Sequence, residues 1–155
     1  MAQTSYSYKT PNGHAGLIYD ISMHVVETRR NENADGEMHF GVGVVKGTTA
    51  GEQVKLPTSA SVAADFEGVT LNGETTEFAT TGAVTIRNDA ALSVLTKGKV
   101  WVKVTDGAVP AYGATAYLVV SGTDAGKFTS DTASGIDIGA KFATAKDNGL
   151  AVIVL

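Results

Sequence analysis

The sequence contains no cysteine, so it has neither a disulfide framework nor a thiolate that could bind metal or act as a nucleophile. Charge is also sparse, since charged residues make up 18% of the chain where about 25% is usual. The net charge is −4 and no basic block occurs, which argues against nucleic acid as a partner. Such a lightly charged surface favours broad contact with other protein.

Long apolar runs are missing as well. The longest are about six residues, whereas a helix that crosses a bilayer needs about 20. The N-terminal residues lack a basic region followed by an apolar stretch, so we expect no signal peptide and synthesis in the cytoplasm. The length of 155 residues suits one domain with its own hydrophobic core.

The clearest pattern lies in residues 91–105, which include the single tryptophan. Successive strand residues face opposite sides, and this segment separates a valine face from a polar and aromatic face. The valine face has Val100, Val102 and Val104, and the opposite face has Lys99, Trp101, Lys103 and Thr105. Gly98 follows Lys97 and permits a tight turn or a bulge. The segment therefore predicts a central strand or hairpin.

Turn signals recur every ~8–12 residues, a spacing typical of β-sandwiches and barrels. No helix-length stretch has apolar residues at the helical period, and only residues 58–65 could form one or two helical turns. Gly41 and Gly43 alternate within a predicted strand, which indicates close approach to another backbone. We predict an all-β fold, with a single barrel or sandwich-like domain over residues 16–155 and an extended N-terminal arm over residues 1–15.

Patterns with catalytic or metal-binding potential are incomplete. His24 and His39 could meet across a hairpin, but none of the three histidines has the local spacing of a known metal site. Residues 31–36 imitate the first half of a calcium loop, yet Val42 occupies the position of the required acid, so a charged hairpin tip explains them better. No serine lies in a nucleophile elbow, and few aromatics are available for a glycosidase cleft. We therefore predict no catalytic residue, cofactor or metal, and no enzymatic activity.

The remaining candidates are residues suited to protein contact. Trp101 between Lys99 and Lys103 is either a strand edge whose indole the lysine stems cover or an interface anchor, since tryptophan is over-represented at binding hot spots. Tyr6 and Tyr8 lie in the predicted arm. We predict these five residues as the interface: Tyr6, Tyr8, Lys99, Trp101 and Lys103.

Several segments, in this order, resemble the structural cement (capsid decoration) proteins of tailed bacteriophages. They are residues 1–7, 40–47, 54–57, 66–69, 94–104, 138–142 and 149–152. The resemblance covers nearly the whole chain and is weakest over residues 107–135.

The resemblance implies a virion structural protein that binds the outer surface of an assembled capsid and bridges major capsid protein subunits. It also implies a homotrimer, made in the bacterial host cytoplasm, that stabilises the capsid. The composition separately predicts that the protein binds neither nucleic acid nor membrane. The alternative is a carbohydrate-binding or adhesin-like β module of a phage tail or cell surface, for which an exposed aromatic platform is expected.

Overall fold

The computed structural model describes residues 13–73 and 84–155. Within these residues the chain forms ten β-strands and two single-turn 3₁₀ helices, Ala63–Asp65 and Gly122–Asp124, and no helix there is long and apolar enough to cross a membrane. The strands are β1 Val25–Asn31, β2 Gly43–Lys46, β3 Gln53–Lys55, β4 Phe66–Thr70, β5 Ala91–Lys97, β6 Lys99–Lys103, β7 Thr115–Leu118, β8 Phe128–Thr129, β9 Ile136–Phe142 and β10 Leu150–Val154. The predicted all-β fold is confirmed.

The strands form a closed barrel and a second sheet. The barrel has the order β1-β3-β2-β4-β5, with β1 parallel to β3 and antiparallel to β5. The second sheet has five strands in the order β6-β10-β9-β7-β8. Its outer strands also approach each other, because Val104 forms a parallel bridge with Phe128 just beyond β6. The predicted barrel is therefore present, and a second sheet accompanies it.

Residues 91–105 connect the two sheets. β5 lies in the barrel and β6 lies in the second sheet, and only Gly98 separates them. Gly98 has a φ of 129° and exchanges backbone hydrogen bonds with Leu155. Glycine populates positive φ readily, so this residue lets the chain change sheets without an intervening loop. The predicted turn or bulge is thus the point of transfer between the sheets.

Two hydrophobic clusters fill the molecule. The first joins the sheets, since it includes Val69 and Leu95 of the barrel together with Val100 and Val102 of β6. The second lies within the barrel and contains residues such as Met38, Val54 and Ile86. Burial of the valine face of β6 in the first cluster agrees with the alternation predicted from the sequence.

Glycine residues allow other chain segments to pack closely against the start of β2. A Cβ atom on Gly41 would lie 2.7 Å from the backbone nitrogen of Gly16, and one on Gly43 would lie 3.0 Å from the ring of Phe128. The backbone N–H of Gly43 donates a hydrogen bond of 2.8 Å to the carbonyl of Gly126. The predicted close approach is confirmed.

Two local predictions are wrong. Residues 27–37 are the most charged stretch of the chain and predict a loop, but residues 27–31 complete β1, whose outward side chains are largely exposed and therefore tolerate charge. The sequence pattern of residues 16–20 and 21–26 predicts two short strands, but residues 16–20 contribute a single β-bridge, between Ile18 and Val100, and residues 21–24 form no strand, since β1 begins at Val25. The hairpin predicted at Asn72 and Gly73 leads into residues 74–83, which lie outside the described residues.

Candidate interaction surface

The edge of β6 that faces away from β10 is completed by three separate chain segments. The backbone N–H of Trp101 donates to the carbonyl of Leu17 at 2.9 Å, and that of Lys103 donates to Gly41 at 2.9 Å. Further along, the N–H of Thr105 donates to Phe128 at 3.0 Å. Because these donors are satisfied internally, most of this edge is closed to pairing with another chain.

Trp101 is half-buried beneath the N-terminal segment of its own chain. A Cβ atom on Gly13 would lie 2.5 Å from Cδ1 of the indole, so only glycine fits there. The ring of Tyr19 lies beside it, with centroids 5.9 Å apart and an interplanar angle of 60°. The indole therefore anchors residues 13–19 to β6, and the two tilted rings form no flat aromatic platform.

Lys99 holds the turn that follows this segment. Its Nζ donates to a carboxylate oxygen of Asp20 at 2.8 Å, while the other carboxylate oxygen accepts from the backbone N–H of Ser22 at 3.0 Å and from the Ser22 hydroxyl. The hydrogen bond from Lys99, helped by those from Ser22, lowers the pKa of Asp20 to about 2. The same contact raises the pKa of Lys99.

This carboxylate provides a pH test of the turn. We expect the Asp20 carboxyl to titrate at about 2, against 3.8 without partners, as followed by its ¹³C chemical shift. Since the folded-state pKa is lowered, the stabilisation is present above pH 3.8 and is lost as the pH falls towards 2. In the Lys99→Met variant the midpoint should rise towards 3.8, and an unchanged midpoint would contradict the assigned ion pair.

Lys103 differs from Lys99 in having no ion-pair partner among the residues that the structure describes. It is half-buried, and loss of hydration, followed by repulsion from Lys127, lowers the pKa of its ammonium group. Its charge also lowers the pKa of His39, although burial has the larger effect there. A carboxylate supplied by a partner could neutralise this site.

An exposed apolar segment precedes β1. In the described part of the chain, ten large hydrophobic residues are exposed, and six of them fall within residues 17–26. These six are Leu17, Tyr19, Ile21, Met23, Val25 and Val26. Ile21 is fully exposed and Met23 is 79% exposed. The clustering of these side chains on the surface is visible only in the fold, because their sequence pattern also fits a partly buried strand.

The two histidines that could have met across a hairpin, His24 and His39, lie in different surroundings. His24 packs against Gly98, whereas His39 interacts with Lys103 and Val84, so the two imidazoles have different surroundings. No group of three or more metal-ligating side chains occurs in residues 13–73 and 84–155.

Residues 31–36 form a hydrogen-bonded turn. The side chain of the buried Asn31 donates to the carbonyls of Ile86 and Arg87 at 3.0 and 2.9 Å. Asn33 accepts from the backbone of Leu56, and Asp35 accepts from that of Asn88. The side chains that imitate a calcium loop thus hold neighbouring chain segments together.

Three of the five predicted interface residues lie in the described part of the chain. Lys99, Trp101 and Lys103 lie side by side on the outer face of β6, half-buried, while Tyr6 and Tyr8 lie outside the described residues. Their role in binding remains a prediction.

Comparisons with known proteins agree with this architecture. The comparison with curated proteins finds no match. A solved structure titled "The capsid of Myoviridae Phage XM1" contains a chain that is 18% identical, with a TM-score of 0.73 over 98% of this chain and 95% of that one. At this identity the likeness establishes the shared fold.

The family comparison covers nearly the whole chain. Residues 2–155 match the family model described as "Structural cement protein (E217 gp24/Pam3 gp6)". This match includes both the barrel and the second sheet. The chain therefore belongs to the phage structural cement protein family, and its role is a structural one associated with the capsid of the virion.

Proposed function

We propose that this protein binds the outer surface of the assembled capsid as a homotrimer, bridges neighbouring major capsid protein subunits and so stabilises the particle. The observation that carries this proposal is the family match over residues 2–155. The low charge of the chain and its exposed apolar segment support extensive contact with protein. The protein is made in the cytoplasm of the bacterial host and acts without catalysis.

The arm, residues 1–15, provides a direct contact with the capsid. Its described end passes over Trp101, so the arm begins at the outer face of β6 beside Lys99 and Lys103. An extended arm can add a strand to an exposed sheet edge of a neighbour, where backbone hydrogen bonds give affinity. Tyr6 and Tyr8 would add side-chain contacts. A trimer that engages several subunits gains avidity of ~10²–10⁴ over one site.

Removing residues 2–12 tests the arm. We expect the truncated protein to remain folded and to keep its oligomeric state, because the residues described from 13 onward include two extensive hydrophobic clusters. Its binding to expanded capsids that lack the protein should weaken, as measured by co-sedimentation over a range of concentrations. The matched control replaces Tyr6 and Tyr8 with serine in the full-length chain. Full capsid occupancy by the truncated protein at the wild-type concentration would contradict the role of the arm.

The carbohydrate-binding alternative gains no support from the pair formed by Tyr19 and Trp101. Tyr19 and Trp101 are tilted by 60°, and Gly13 covers the indole. A glycan platform would need aromatic rings that are free on one common face, so we do not adopt this alternative.

A further inference from the structure

The exposed apolar segment, residues 17–26, contains a projecting knob, which we define as residues 20–23. Ile21 and Met23 point into solvent at its surface, and the turn beneath them is held by several polar contacts. Asp20 accepts hydrogen bonds from Ser22 and pairs with Lys99, and the carbonyl of Ser22 lies 3.0 Å from Nδ1 of His24. The knob is therefore a preorganised apolar projection, and ordering it on binding costs little entropy.

A cleft elsewhere on the same molecule has a lining that is partly apolar. It is an open cavity of about 780 Å³, lined by the loop after β6, the turn before β8 and the turn that follows β8. Ala108, Val109 and Val119 supply its apolar walls, and Val109 is 87% exposed. Cavities of ~300–1,000 Å³ accommodate a drug-sized ligand, so this one is large enough for two protein side chains.

The charges beside the knob and around the cleft are opposite in sign. Lys97 lies directly opposite Val25 where β5 pairs with β1, and it has no ion-pair partner among the described residues. The cleft contains Asp124, which pairs with Lys127 at 2.6 Å, and Asp131, whose contacts in the same part of the chain are hydrogen bonds from Ser134 and Ala133. A docked knob would bring Lys97 towards the carboxylate of Asp131, which has no ion pair among the described residues.

The knob and the cleft lie at opposite ends of one extended segment. Asp20 contacts Lys99, the first residue of β6, whereas Thr105 lines the cleft. From Lys99 to Thr105 the chain advances six residues, and in extended conformation this separates the two points by roughly 20 Å at about 3.3 Å per residue. A knob cannot reach the cleft of its own chain across this distance. Two different surfaces that complement each other generate a head-to-tail contact, which can close into a ring.

We infer that the knob of one copy docks into the cleft of a second copy, and that this contact builds the oligomer. The inference rests on the self-association in the proposed function and names the surfaces that produce it. Ile21 and Met23 enter between Val109 and Val119, and Lys97 approaches Asp131.

Paired variants test this contact. The knob variant carries Ile21→Asp and Met23→Asp, and the cleft variant carries Val109→Arg and Ser121→Arg. All four positions are exposed, so both proteins should fold with wild-type circular dichroism. The control is Val62→Asp, which alters an exposed apolar residue outside both surfaces. Sedimentation velocity should show that the wild type and the control are oligomeric. The knob variant and the cleft variant should each associate at least roughly tenfold more weakly than the wild type.

Mixing the two variants gives the decisive result. Each retains one intact surface, so a head-to-tail contact predicts that the mixture forms one-to-one pairs that grow no further. Three results would overturn the inference: a monomeric wild type, a knob variant that assembles like the wild type, or two monomeric variants that fail to pair when mixed.

Capsid co-sedimentation separates this inference from the proposed function. A monomeric wild type that still binds capsids refutes the docking contact and leaves the cement function intact. An oligomeric wild type that does not bind capsids refutes the cement function and leaves the docking contact intact. A knob variant that assembles normally but no longer binds capsids would assign the knob to the capsid protein, and would also overturn the inference.

Discussion

Replacement of Gly98 with alanine is expected to destabilise the protein by roughly 2–4 kcal/mol. Its φ of 129° lies far from the left-handed helical region near +57°, which other residues can enter at moderate cost. An added Cβ would also lie 2.8 Å from the Cβ of His24. Chemical denaturation followed by the fluorescence of Trp101, the single tryptophan, measures the change directly.

Gly51 provides the matched control. Its φ is 82°, and a Cβ there would meet no atom within 4 Å, so Gly51→Ala should cost only about 1 kcal/mol. The difference between the two variants isolates the constraint at the point where the chain changes sheets. Equal losses at the two positions would show that Gly98 acts only as an ordinary turn residue.

Replacement of Trp101 with alanine is expected to lower the free energy of unfolding by about 3 kcal/mol, as is usual for truncation of a packed tryptophan. The variant loses the contacts with Gly13 and Tyr19 that hold the N-terminal segment on β6. If the arm docks on the capsid, the same change should also weaken capsid binding, by ~2–4 kcal/mol at a hot spot. Unfolding followed by circular dichroism measures the first effect, and capsid co-sedimentation measures the second.

Two further variants separate the possible roles of Trp101. Trp101→Phe keeps a ring beneath Gly13 and should retain most of the stability. Tyr19→Ala removes the neighbouring ring, which is 46% exposed, and should have a smaller effect on folding than Trp101→Ala. If Trp101→Ala changed neither stability nor capsid occupancy, the indole would be neither an anchor for the arm nor a binding residue.

Periodicity predicted which face of a strand is buried. The valines of β6 are fully or nearly fully buried, and Lys99, Trp101 and Lys103 lie on the opposite face. The sequence Asp147-Asn148-Gly149 likewise predicts a tight turn, and Asn148 and Gly149 have φ values of 53° and 77° in a hairpin with a bridge between Asp147 and Leu150. These features depend on near neighbours in the chain, so local residue types are sufficient to reveal them.

Neighbours that are distant in sequence could not be predicted in the same way. The alternation in residues 91–105 gives no sign that β5 and β6 belong to different sheets, because each half has the same period of two. Arg29 and Arg30 made the end of β1 resemble a loop, although Arg29 forms ion pairs with Glu27 and Glu67 on the barrel surface. Strand pairing, which decides both cases, is a property of the whole fold.

The candidate interaction surface was predicted in part. Composition pointed to Trp101 and its flanking lysines, whereas the knob at Ile21 and Met23 followed only from the exposure of these side chains in the fold. Large apolar residues that alternate with polar ones are equally compatible with a buried strand and with a docking segment. Only their position relative to the core distinguishes the two.

Capsid binding is the central claim, and co-sedimentation of the purified protein with expanded capsids that lack it tests this claim most directly. We predict saturable binding at a fixed ratio to the major capsid protein, together with greater resistance of the decorated capsids to heat. The arm deletion should reduce this binding, and the Val62→Asp control should not. A folded protein that stays in the supernatant at every concentration would contradict the cement function.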